Sequence, residues 1–331
     1  MIESRRILIT GGSGTLGRAL TRRLLAQSPE RITILSRGEE LQDQMRKAFQ
    51  DERLRFRIGD VRDYHTVAAV LRDADVVFHG AALKQIPPCE AFPREAVETN
   101  IGGTSNLVRA ICDFGFPVSA VVGVSTDKAC RPVNVYGMTK AVQERLFVEA
   151  NLSSTTRFVT VRYGNVLVSR GSVIPLFAEQ IRQGGPVTIT TPEMTRFFLS
   201  VEEAVDAAMA TLEFARPGDV FVPWIDSARI TDIARLMVGD RDIPIVPTGM
   251  RPGEKVHEIL VTPEEWERTV HTPAGLLAVK PMLDGFPDDL RAPALAHDYS
   301  SAHRLMSEER MRTYIRDLLP GGRAYEMEMA H

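Results

Sequence analysis

The segment Thr10-Gly11-Gly12-Ser13-Gly14-Thr15-Leu16-Gly17 constrains this chain more than any other. It follows the apolar run Arg6–Thr10 and precedes a stretch that puts Leu16, Leu20, Leu24 and Leu25 on one helical face. A strand, a tight glycine turn and an amphipathic helix, in that order, bring backbone N–H groups up to a pyrophosphate at the helix N-terminus. The spacing predicts a dinucleotide loop made by Gly11, Ser13, Gly14, Thr15, Leu16 and Gly17. Such a loop works inside a parallel βαβ unit, so an α/β fold is expected.

The rest of the first half agrees. Arg31–Ser36, Leu54–Ile58, Asp75–His79, Val118–Ser125 and Phe158–Arg162 read as further strands, separated by segments long enough for crossover helices. Several are continuous Ile/Val/Leu runs, the pattern of strands buried on both faces. Alternation at this spacing predicts a doubly wound parallel sheet. After Asn165, glycine and proline become frequent, which predicts a smaller, loop-rich second unit interleaved with the sheet. The expected division is residues 1–168 with 196–223 returning to them, against 169–195 and 224–331. Val201–Phe214 and Ser307–Leu319 read as helices, the second capped by Ser307. Residues 285–298 read as irregular.

The cofactor side can be read further. The second strand ends in Ser36-Arg37, where a carboxylate would hold a ribose hydroxyl. A cation beside a small hydroxyl suits a 2′-phosphate, so NADP is expected rather than NAD. Asp60-Val61, after the third strand, is placed near the adenine. Ala81 and Ala82, after the fourth, let backbone approach the cofactor. The fifth strand ends in Thr126-Asp127-Lys128, and Tyr136 and Lys140 follow at helical spacing. Residues four apart share a helix face. A lysine beside a phenol lowers its pKa and makes Tyr136 a usable base, with Lys140 also holding the ribose. Thr126 can hydrogen-bond the same substrate oxygen.

Together these segments resemble the extended short-chain dehydrogenase/reductases. Ser125–Ala129, with Tyr136–Lys140, is similar to the inverting 4,6-dehydratases of UDP-N-acetylglucosamine. Ala81–Pro87, Thr99–Gly103, Arg162–Val166, Ser169–Pro175, Thr195-Arg196-Phe197 and Arg251-Pro252-Gly253-Glu254-Lys255 also match that group, the last being specific to its polysaccharide-biosynthesis members. The resemblance implies a Rossmann-type fold with a substrate domain, tightly bound NADP recycled in each turnover, a UDP-sugar substrate and a homo-oligomer of two to six chains. It implies catalytic roles for Thr126, Asp127, Lys128, Tyr136 and Lys140, with Lys128 as a neutral C5 base and protonated Asp127 as the acid. It adds Lys84 and Asn100 to the cofactor contacts. It gives Lys84, Asn165, Val173, Arg196, Arg251 and Glu254 to the substrate. A 4-epimerase of the same group, a dehydratase that also epimerises, and a non-catalytic NADP sensor are the competing readings. Val168 and Ala91 stand where relatives usually carry Gly and Tyr.

Composition narrows the remainder. Of 331 residues 25% are charged, and the formal net charge of −3 makes no electrostatic case for nucleic acid or an anionic membrane. No run of about 18 apolar residues occurs, so no membrane span is expected. Cys89, Cys112 and Cys130 form no C-x-x-C pair, and the expected compartment is a reducing cytoplasm. His79, His257, Glu258 and His271 make no metal pattern, since His257-Glu258 lacks a second His four residues on. Ser172 lacks a G-x-S-x-G elbow.

Overall fold

Strands and helices alternate along the first half in the order the apolar runs require. The structure is a computed structural model that describes residues 2–166, 173–283, 285–286 and 292–318. Its first strands are β1 (Arg6–Thr10), β2 (Arg31–Ser36), β3 (Leu54–Ile58), β4 (Val76–His79), β5 (Ala120–Thr126) and β6 (Arg157–Tyr163). Shorter ones follow: β7 (Asn165–Val166), β8 (Val187–Ile189), β9 (Thr195–Leu199), β10 (Val220–Val222), β11 (Ser227–Arg229), β12 (Ile245–Pro247), β13 (Ile259–Val261), β14 (Thr269–His271), β15 (Leu277–Val279) and β16 (Tyr299–Ser300).

Among the described residues the main sheet runs β14-β15-β10-β6-β5-β4-β1-β2-β3. From β10 to β3 every pairing is parallel. β15 and β14 then add antiparallel strands at the far edge. Strand order reverses between β1 and β4, and in open α/β sheets ligands bind at the carboxyl ends around that switch point. The doubly wound sheet expected from the sequence is therefore the fold found.

Side-chain alternation builds a core on each face of the sheet. Ile7, Ile9, Ile34, Phe78 and Val122 enter one apolar cluster, while Leu8, Leu35, Val77 and Val121 enter the other. The edge strand β3 is buried mainly at Leu54. A third cluster, around Phe177, Val187, Ile189, Ile233, Met237 and Met311, is the core of the second unit. β9 belongs to both: Phe197 and Leu199 pack into the main core, Phe198 into the second.

One expected boundary needs correction. Residues 224–331 were assigned whole to the second unit, yet β14 and β15 lie inside that range and hydrogen-bond onto the main sheet. The apolar triplet Leu277–Val279 is fully buried there, and a short strand satisfies its backbone most simply by extending an existing edge. Val168, Gly171 and Ser172 lie outside the described residues.

Candidate active site

A cavity of about 730 Å³ opens at the carboxyl ends of β1, β4, β5 and β6. Gly11, Gly14, Thr15, Leu16 and Gly17 form one wall, Ala81, Ala82 and Lys84 a second, and Thr126, Lys128, Tyr136, Lys140 and Asn165 the floor. Arg196, on β9, and Arg251 and Glu254, from the second unit, complete the lining.

The loop geometry suits a pyrophosphate. Gly11 has φ +70°, and a Cβ there would fall 2.8 Å from the Ala81 backbone N. A Cβ on Gly17 would come within 2.4 Å of the Gly12 backbone, so helix Thr15–Leu25 approaches the loop only because residue 17 has no side chain. Gly14 caps that helix without a side-chain hydrogen bond, which leaves first-turn N–H groups available to an anion.

Tyr136 and Lys140 stand on helix Val135–Ala150, capped by Asn134, whose Oδ1 accepts from Gly137 N at 2.8 Å. Asn134 also donates to the Gly253 carbonyl at 2.7 Å, tying the Arg251–Lys255 turn to the start of the catalytic helix. Burial pushes the Tyr136 phenol up to about 12, against the opposing pull of the Lys128 charge and of the Thr126 hydroxyl beside it. The phenol is thus raised, where the sequence reading expects a neighbouring lysine to lower it, and the cation that opposes the rise is Lys128. Lys140 Nζ instead donates to Gln143 Oε1 at 2.5 Å, and burial pushes its ammonium down to about 7.

Thr126, Asp127 and Lys128 form a hydrogen-bonded cluster at the end of β5. Thr126 Oγ1 donates to Asp127 Oδ1 at 3.0 Å, and Lys128 Nζ donates to the same oxygen at 2.9 Å and to Asn165 Oδ1 at 3.1 Å. Asp127 is fully buried, and the burial raises its carboxyl against the opposing Lys128 charge. Lys128 departs from expectation. Burial works to lower its ammonium, but the Asp127 and Glu258 carboxylates outweigh burial and hold it above the ordinary lysine value. Lys128 therefore rests as a cation, not as the neutral amine the sequence reading required.

Other expected contacts sit elsewhere. Asn100 is fully buried and spends its amide on the protein, with Oδ1 accepting from Leu83 N and Nδ2 donating to Leu83 O and Thr139 Oγ1. It pins the loop after β4 and is not among the residues lining the cavity. The Val61 side chain fills the core. Val173 opens helix Val173–Arg182 and packs against the second core, away from the cavity wall. Ser13 is buried, and its carbonyl accepts from Arg18 Nε at 3.1 Å. Ser36 and Arg37 lie at the end of β2, beyond the lining residues. Ser36 Oγ accepts from Gln42 Nε2 at 2.8 Å, and the half-exposed Arg37 guanidinium is 3.7 Å from Asp60.

Sequence reasoning missed two residues. Glu258 lines the cavity and lies 3.7 Å from Lys128 Nζ, having been weighed only as half of a zinc motif. Tyr163, at the end of β6, also lines it, and the sequence reading gives it no role beyond its place in the matching segment Arg162–Val166. Strand pairing sets Tyr163 opposite Thr126. At the surface, His297, Asp298 and His303 bring ligand atoms within 4.8 Å of one another, a grouping no motif announced. None of the three lines the cavity.

A parallel nucleotide-binding sheet, with a Tyr-x-x-x-Lys helix and a strand-end Thr facing its switch-point cavity, defines an extended short-chain dehydrogenase/reductase. Residues 7–279 match the polysaccharide biosynthesis protein family, and the chain belongs to it. It is 42% identical over 270 residues to the inverting UDP-N-acetylglucosamine 4,6-dehydratase of Campylobacter jejuni, a match covering 80% of each chain. It is also 42% identical over 274 residues to a UDP-glucose 4-epimerase of Rickettsia bellii, again over 80% of each. The X-ray structure of Pen from Bacillus thuringiensis, 34% identical, covers 95% of this chain and 98% of that one with a TM-score of 0.88. The chain is accordingly an enzyme of the nucleotide-sugar dehydratase and epimerase group. Among the described residues no helix is long and apolar enough to cross a membrane.

Proposed function

We propose that this chain is an NADP-dependent inverting 4,6-dehydratase of UDP-N-acetylglucosamine, releasing a UDP-4-keto-6-deoxy sugar. The observation that carries this reading is the 2.9 Å hydrogen bond from Lys128, which lines the cavity together with Tyr136, to the buried Asp127. A 4-epimerase needs a base at O4. A dehydratase needs in addition an acid and a base for C5 and C6, and this pair is placed to be both.

A bound nicotinamide dinucleotide would supply reversible hydride transfer, and Gly11, Gly14, Thr15, Leu16 and Gly17 would hold its pyrophosphate. Arg37 supports NADP: β2 ends in Ser36-Arg37 with no carboxylate of its own for a ribose, and the half-exposed guanidinium, 3.7 Å from Asp60, is a cation suited to a 2′-phosphate. Burial keeps the resting Tyr136 phenol neutral, so it acts only once ionised: the phenolate takes the proton of the sugar 4-hydroxyl, with Thr126 hydrogen-bonding the same oxygen. Lys128 and Asp127 handle the elimination. In the resting pair the proton sits on Lys128. Its transfer along the 2.9 Å bond leaves a neutral amine and a carboxylic acid, the two forms that elimination consumes. Lys128 then removes the C5 proton. The Asp127 proton reaches the departing 6-hydroxyl through the Thr126 hydroxyl, which is 3.0 Å from Asp127 and lines the cavity. Water leaves, and the C5–C6 double bond forms from the C5–H electrons. Arg196 and Arg251 bind the diphosphate, and Glu254 accepts from ribose hydroxyls.

The free thiols of Cys89, Cys112 and Cys130 support a reducing cytoplasm. Exposed Phe92, Val97, Met138 and Val142 support self-association, which sedimentation would measure.

Proton NMR of the purified protein with UDP-N-acetylglucosamine in heavy water tests the reading. The expected result is loss of one water, a new 6-methyl signal, deuterium at C5 and ring couplings of an inverted centre. A 4-epimer without water loss would overturn it in favour of the epimerase reading, which the Rickettsia relative's name supports.

A further inference from the structure

Among the described residues that line the cavity, Glu258 is the carboxylate to which the reading above gives no role. Its backbone is locked by the second unit. Glu258 N donates to Ser301 Oγ at 2.9 Å, Ser301 N donates back to Glu258 O at 2.8 Å, and Ser301 Oγ is 2.6 Å from Thr195 Oγ1. From that anchor the side chain reaches across to the end of β5. Oε1 lies 3.7 Å from Lys128 Nζ and 3.8 Å from Arg196 Nε, and Oε2 lies 3.3 Å from Lys255 Nζ. Lys255 in turn donates to the Cys130 carbonyl at 2.8 Å, directly behind the Asp127–Ala129 turn. A carboxylate only 3% exposed, bracketed by three cations, is a built arrangement.

We propose that Glu258 is a positioning residue for the elimination: it steers Lys128 toward the cavity and keeps one proton bound within the Asp127–Lys128 pair. The proposal rests on the dehydratase reading for its chemical purpose, though not for its test. The groups facing Lys128 are Asp127, Glu258, Arg196 and the Tyr136 phenol, and those facing Glu258 are Lys128, Arg196 and Lys255. With Glu258 present, two carboxylates meet three cations. Without it, Asp127 alone meets Lys128, Arg196 and Lys255, and that excess of positive charge drives protons off the pair. The carboxylate of Glu258 is favoured despite burial, because Lys128, Arg196 and Lys255 hold it below the usual range. Its negative charge supports protonation of both Asp127 and Lys128. Arg196 also donates to Thr195 O at 2.8 Å and Val256 O at 3.2 Å, so two backbone carbonyls and the Glu258 carboxylate together surround the guanidinium of a cavity-lining arginine.

The test compares wild-type holoenzyme with Glu258→Gln and Glu258→Asp. Asp127 is followed by carboxyl carbon-13 NMR, assigned with Asp127→Asn, and this readout needs no turnover. Removing the Glu258 charge should lower the Asp127 midpoint by about one pH unit or more. In the pH profile of kcat for water loss, both limbs should move to lower pH by a similar amount. The value of kcat should fall at least tenfold, with KM changed less than threefold. Glu258→Asp should restore most of both and, being the milder change, serves if the glutamine variant does not fold. An Asp127 midpoint that stays put in a folded Glu258→Gln protein overturns the proposal, as does a kcat profile lowered without displacement. Wild-type enzyme that releases no water from UDP-N-acetylglucosamine overturns the dehydratase reading instead, and the Asp127 titration still decides the role of Glu258.

Discussion

Replacing Glu265 by Gln should remove one of the largest single electrostatic supports of this fold. Arg162, on β6, is buried with its guanidinium shared between two carboxylates. Glu265 accepts from Nη1 at 2.8 Å and Nη2 at 3.0 Å, and Glu144 accepts from Nη2 at 2.6 Å and Nε at 3.0 Å. Ser125 on β5 donates to Glu144 at 2.5 Å, and the Leu260 carbonyl on β13 takes a further Arg162 hydrogen bond. The network thus joins β5, β6 and the catalytic helix to the second unit, just behind Thr126 and Tyr163. Burial by itself would raise the Glu265 carboxyl, but Arg162 overrides it and brings the group from 4.5 down to about 2. At about 1.4 kcal/mol per pH unit, this is about 3 kcal/mol of stability. Because the folded-state value is depressed, the contribution is complete above pH 5 and is lost as the pH falls from 4.5 toward 2. Urea unfolding at pH 7 should show Glu265→Gln less stable by about 3 kcal/mol, close to the 3–5 kcal/mol seen when a buried pair loses one partner. At pH 3.5 the gap should narrow by about 1.5 kcal/mol, since the wild-type carboxyl has begun to lose its advantage. A deficit under about 1 kcal/mol at pH 7, or one that does not narrow in acid, would refute the reasoning.

Three further outcomes are expected. Gly17→Val places side-chain carbon where 2.4 Å separates a Cβ from the Gly12 backbone, so calorimetry should find dinucleotide binding weakened at least 100-fold, to be read beside a thermal melt. Tyr136→Phe should lower kcat by roughly 10²–10⁴-fold while cofactor affinity changes little, and equal losses in both would mean the phenol only shapes the pocket. Arg37→Ala should cut the preference for NADP over NAD by about tenfold or more in competition binding, since a charge-assisted contact to the 2′-phosphate is removed. An unchanged ratio would return the choice of dinucleotide to other residues.

Much of the fold was legible from the chain because strands buried on both faces must be apolar along their whole length. The runs Arg6–Thr10 and Arg31–Ser36 coincide with β1 and β2, the edge strand β3 falls on Leu54–Ile58 although Leu54 alone of it is buried, and the glycine loop lies where its spacing puts it. Thr126, Lys128, Tyr136 and Lys140 also came together as read, since a strand end and the first turns of the following helix are local features. What the sequence could not supply was the assignment of β14 and β15 to the main sheet. Three-residue strands carry too little periodicity to declare a partner.

The charge states of the site belong to tertiary structure alone. Lysine at position 128 reads as a base or as a cation with equal ease until its neighbours are known. Those neighbours include Glu258, 130 residues downstream, and the sign of the perturbation follows from carboxylates only 2.9 and 3.7 Å away in a buried space. Asn100 is the converse case. The family resemblance implies a cofactor contact for it, and packing against Leu83 and Thr139 turns its amide hydrogen bonds inward. Local spacing determined which groups meet along β5 and its helix. Long-range packing decided which of them carry a proton, because desolvation and Coulomb energy depend on distance through space and not on distance along the chain.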